Sequence, residues 1–133
     1  MKKKGLGYFE YDPVIYPRKL WVHIGDDIGE LASKAFCGIE GYDVKKYYGV
    51  EYGNVARKSD DICGVLVSFP SRKNMTMEVC AHEASHVCDD LEKAVGLEHG
   101  GEASAYLIGW IVSCIGKARL GIGDFIEIKD KEK

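Results

Sequence analysis

The segment that most constrains this chain is His82-Glu83-Ala84-Ser85-His86. Residues four apart on an α-helix lie on one face, one turn apart. Two imidazoles at that spacing can hold one Zn²⁺ from the same side. The segment therefore works as a unit only on a helix. Glu83 lies about 100° around the axis from His82, so it borders the metal face without being a ligand from it. From there it is placed to take a proton from metal-activated water. Four histidines and eleven glutamates in 133 residues make a chance match to this pattern about one in a hundred. The bland alternative is two solvent-facing helix histidines with an ordinary glutamate.

The neighbourhood favours the helix. Asn74 to Val95 reads as one long helix. Gly96 ends it, with Leu97 placed for the hydrophobic contact that follows a left-handed cap. Ahead of it, Ile62 to Phe69 is an apolar run stopped by Pro70, the pattern of a buried strand. Zinc needs at least one more ligand. Extending the motif would take glycine at 89 and histidine at 92, but Asp89 and Glu92 stand there. Glu102 is the favoured third ligand and His99 the competing one. The helix runs about 13 Å past His86, and Leu97 to Glu102 can span up to about 20 Å. The chain can therefore turn at Gly100 and Gly101 and bring Glu102 back beside the histidines. A His, His, Glu set keeps one position open for water, as catalytic zinc sites do. Without that role Glu102 is an acidic residue favouring a helix N-terminus.

Three further residues carry two readings or one. Asp90 shares the histidine face one turn on. It either accepts the second ring N–H of His86 or is a solvated aspartate. Tyr106 lies one turn past Glu102. Its hydroxyl either steadies an oxyanion or makes one hydrogen bond within the core. His23, at a strand end, reads as structural.

Elsewhere Lys19 to Ile24 reads as a strand. Ile28 to Phe36 reads as a helix, with Ile28, Leu31, Ala32 and Ala35 on its apolar stripe and Asp26 or Asp27 as N-cap. The tyrosine-rich stretch 38–53 holds a short helix or a strand around Val44 to Val50. Glu102 to Gly116 is a helix that is apolar nearly all round, which marks a core helix. Asp124 to Ile128 is a short strand. The order strand, helix, strand, helix, helix gives an α+β fold, a small sheet with helices on one side. The length suits one domain, residues 1–133. No run of 18 apolar residues is present to span a membrane, and no secretory leader is expected. A net charge of −3 argues against a nucleic-acid partner. The lysines at both ends read as frayed, solubilising tails. Five cysteines, an odd count without CxxC spacing, suit reduced thiols in a cytoplasmic protein. Cys80 and Cys88 each lie about 200° around the helix from the nearer histidine, which disfavours them as ligands.

The stretch from Thr76 to Trp110, with HEASH followed by Gly101-Glu102-Ala103-Ser104-Ala105-Tyr106-Leu107-Ile108-Gly109-Trp110, resembles small phage- and prophage-encoded zincin-like proteins of the gluzincin type. Ile15 to Trp21 is similar to the opening strand of that group. The resemblance implies a minimal zincin fold, in which a sheet edge lies across the motif helix. It implies His82, His86 and Glu102 as ligands and Glu83 as general base, and it brings no substrate. Two functions follow as expectations. One is a zinc-dependent metallopeptidase hydrolysing a protein or peptide. Ile62 to Ser68 would pair with the substrate if that strand lies at the sheet edge. The other is a catalytically inactive zincin-like module that binds a protein partner, favoured by the short chain. Both sit in the cytoplasm, that of the host cell if phage-encoded, with no nucleic-acid or membrane partner. The oligomeric state stays open.

Overall fold

Two apolar sets alternate along the central strands and bury on opposite faces of one sheet. The computed structural model describes residues 5–39 and 48–128. In chain order the elements are β1 (Gly7–Tyr11), β2 (Lys19–Ile24), α1 (Ile28–Ala35), β3 (Phe36–Cys37), β4 (Val50–Arg57) and β5 (Cys63–Phe69). A 3-10 turn at Arg72–Asn74 follows, then α2 (Met77–Val95), α3 (Glu102–Arg119) and β6 (Asp124–Glu127). The strands form one sheet in the order β3-β4-β5-β2-β1-β6. β2 and β5 pair in parallel, and the other pairings are antiparallel. The fold is α+β with a mixed sheet.

Phe9, Leu20, Val22, Val65, Val67 and Phe69 face one side and pack with α2 and α3. Tyr8, Trp21 and Leu66 face the other and pack with Ile28, Leu31 and Ala35 of α1. Helices thus cover both faces rather than one. The reason is in the strands: β2 and β5 alternate apolar side chains to both sides, so each face needs a cover. α1 buries the expected Ile28, Leu31, Ala32 and Ala35. Asp27 takes its N-cap position but makes no capping bond. Its Oδ1 instead meets His23 Nε2 at 2.7 Å, while His23 Nδ1 meets Ser68 Oγ at 2.7 Å. His23 is 1% exposed and ties β2 to β5 and to the start of α1.

One condition fails and two further expectations change. β5 lies inside the sheet, between β4 and β2, so it is not an edge. α2 starts at Met77 rather than Asn74. Ser71 Oγ accepts from Asn74 N at 3.3 Å and closes a separate turn, and Thr76 caps the helix by accepting from Val79 N at 3.2 Å. α3 is not buried all round. It buries one stripe, Ser104, Leu107, Ile111, Cys114, Ile115 and Ala118, because only the sheet and α2 lie against it.

The cap at Gly96 is as expected. Its φ is 73°, Leu97 N–H reaches Glu92 O at 2.9 Å, and the Leu97 side chain packs on the core. The predicted element around 44–50 lies largely outside the described residues, where β4 begins at Val50. The terminal lysines 2–4 and 129–133 lie outside them too. Among the described residues no helix is long and apolar enough to cross a membrane.

Candidate metal centre

β4 crosses α2 at close range, and glycines make the approach possible. Gly49, Glu51 and Gly53 alternate along an extended chain and so face the same side. A Cβ added to Gly49 would come 3.0 Å from Glu83 Cγ, and one added to Gly53 would overlap the Asp90 carboxylate. Glu51 sits in the seam between them.

His82 and His86 stand exposed on the outer side of α2. Their Nε2 atoms are 3.3 Å apart and their rings meet at 77°. Two nitrogens bound to one tetrahedral Zn²⁺ at about 2.0–2.1 Å lie about 3.3 Å from each other. The spacing of the pair therefore fits a shared zinc ion. Glu83, one residue on, is buried at 6% exposure. Burial raises its pKa, while the two histidines pull it down. A carboxylate raised toward neutrality is a better proton acceptor than an exposed one.

Glu51 is the residue that sequence reasoning missed. Its carboxyl is hydrogen-bonded to Asp90, and its Oε2 is buried without a partner. Burial comes first in raising its pKa well above the usual carboxylate range. The bond to Asp90 and the charges of Asp90, Glu83 and Asp89 add to this. A carboxyl held in this way favours its protonated form. The only signal in the sequence is the Gly-x-Glu-x-Gly spacing at 49–53, and it means nothing until this strand is known to cross the motif helix.

The remaining candidates lie apart from the histidine pair. The chain turns back at Gly100, φ 98°, and Glu102 opens α3 as expected. Ser104 is the residue that meets α2, through Glu92. Glu102 and Tyr106 are each two residues from Ser104, about 200° around the axis. Both side chains therefore leave α3 on the side away from α2. Tyr106 is 75% exposed, so it is not a core tyrosine. Among the described residues, the one group of three His, Cys, Asp or Glu with ligand atoms within 4.8 Å of one another is Asp89, Glu92 and His99. Glu102 thus stands farther than that from at least one imidazole.

Within that second group Glu92 acts as an anchor. Glu92 is 3% exposed. It accepts from Ser104 Oγ and from Cys88 Sγ (3.4 Å), and it bonds His99 Nδ1 at 2.9 Å. The Ser104 bond leads in holding its pKa low, with His99 and Cys88 adding. A buried carboxylate so satisfied joins α2, the following loop and α3. Cys80 and Cys88 are poor zinc ligands. Burial and the neighbouring Glu92 push Cys88 up to about 11, burial raises Cys80, and all five cysteines are unpaired. A pocket of about 370 Å³ lies elsewhere, lined by Asp12, Tyr16, Arg18, Lys19 and others, with no motif residue among them.

No protein-family profile matches the chain, and neither the characterised proteins nor the solved structures compared with it include a match.

Proposed function

We propose that the chain is a zinc-dependent peptidase of the zincin type, cytoplasmic and of phage or prophage origin. The supporting observation is the 3.3 Å between the Nε2 atoms of His82 and His86, with buried Glu83 beside them. Bound Zn²⁺ would supply Lewis acidity toward a carbonyl oxygen and an attacking water. His82 and His86 would hold it. Glu102, the third ligand expected from the sequence, leaves α3 on the side away from α2 and would have to reorient to join them. Glu83 accepts the proton of the attacking water on its carboxylate and passes it to the leaving amine. Gly49 packs over Glu83 and shields it from bulk water.

The substrate strand moves from β5 to β4. Among the described residues, β3 covers only the far end of β4, at Ala56 and Arg57. An extended peptide laid along β4 ahead of that point by strand addition runs over α2, beside Glu83. The test is Glu83→Gln. It should cut peptide turnover by roughly 10²–10⁴-fold while zinc binds with unchanged stoichiometry. Equal turnover by both proteins on every peptide tried would contradict catalysis and leave the non-catalytic binding module.

A further inference from the structure

The outward face of α3 carries no charge along its middle. Ala105, Gly109, Val112, Ser113, Gly116 and Leu120 recur on it at helical spacing, all exposed, with Tyr106 at its margin. Large apolar groups stand out from it: Tyr106 is 75% exposed, Leu120 69% and Val112 44%. A solvent-facing helix ordinarily turns charged and polar groups outward. α2 does so, with Glu78, His82, His86, Asp89 and Lys93 exposed. On α3, among the described residues, nothing lies within 4 Å of a Cβ placed on Gly109 or Gly116, so a second helix can come close.

Charge appears only at the ends. Glu98 and Glu102 lie at the start of α3, and Lys117 and Arg119 at its finish, all exposed. A parallel copy of this helix would set like charges together. An antiparallel copy sets each acidic end against a basic end, and the two helix dipoles oppose favourably. α3 spans Glu102–Arg119, so a two-fold axis through its middle passes between Trp110 and Ile111. That axis places Val112 over Gly109 of the second copy and Ala105 over Gly116. Each larger residue meets a smaller one.

We propose that this face is the interface of a homodimer, with two copies of the chain packing α3 against α3, antiparallel about a two-fold axis. The stripe is about 22 Å long. One helix face is small for a permanent dimer, so dissociation in the micromolar range is expected. The proposal stands apart from the metal site, because the pairings of Val112 with Gly109 and of Ala105 with Gly116 involve none of its residues.

Sedimentation velocity of the full chain, from about 1 to about 200 µM, reads the result. The mass should rise from 14.8 kDa toward twice that value. Val112→Glu should weaken the dimer more than tenfold with an unchanged melting curve, which separates lost association from lost folding. Lys117→Glu should weaken it as well. Adding Glu102→Lys to that variant should restore it, because the antiparallel pairing sets Glu102 of one copy within two residues of the position opposite Lys117 of the other. A monomer at every concentration overturns the proposal, even if the face then captures lipid vesicles or another protein. A dimer indifferent to Val112→Glu, or a charge swap without rescue, overturns it too.

Discussion

A histidine becomes a brace or a ligand according to what its two nitrogens already hold. His23 is buried with both nitrogens engaged, by Ser68 and Asp27. His82 and His86 are exposed and turn their Nε2 atoms toward one point. His23→Phe would leave buried Ser68 Oγ without its partner and release Asp27 from the start of α1. The expected loss is about 2–4 kcal/mol in urea unfolding, with zinc binding retained. A loss below about 0.5 kcal/mol would contradict the brace. His82, Glu83 and His86 are legible in the sequence because spacing along a helix fixes their relative positions. Glu51 is not, because its place beside Glu83 and Asp90 depends on how a distant strand crosses that helix.

At the level of elements, the seam between β4 and α2 decides the geometry around Glu83. Gly53 is at the closest approach, against Asp90. Gly53→Val should push strand from helix and cost roughly 2 kcal/mol. Asp90→Ala in the same chain should return part of that loss, a coupling that urea unfolding of the two single variants and the double variant measures. Strict additivity would mean the two do not touch. β2, β5, α1 and α2 could be read from apolar runs and periodicity. The inner position of β5 in the sheet and the one-sided burial of α3 could not. Apolar content tells how much of a residue set avoids water, not which neighbours arrive to cover it. α3 received a cover on one side only.

At the scale of the whole molecule, Glu51 with its buried Oε2 and buried Glu92 have opposite habits. In the unfolded chain both titrate near the ordinary value, about 4.3. Folded Glu51 keeps its proton above that pH, so its contribution is complete at low pH and is lost as pH rises toward its folded pKa. Folded Glu92 stays ionised below it, so its contribution is complete above the ordinary value and is lost as pH falls through its folded pKa. Glu10, held low by the Trp21 and Arg57 hydrogen bonds, and Asp60, held low by Arg57, steepen the acid side. For the metal-free protein, melting temperature should peak at mildly acidic pH, about 5. Glu51→Gln should flatten the alkaline limb and Glu92→Gln the acid limb. Melting curves recorded across the pH range check this, and an alkaline limb unchanged in Glu51→Gln would refute the buried, protonated assignment.

All of the chemistry proposed for the chain depends on His82 and His86 sharing one metal ion. Titration of the metal-free full chain with Zn²⁺, by calorimetry, measures that sharing. The expected result is one ion per chain with a dissociation constant below roughly 1 µM. Weakening of about a hundredfold or more should follow in both His82→Ala and His86→Ala, with their melting curves intact. Binding no tighter than about 0.1 mM, or one tight ion retained by both variants, would contradict it.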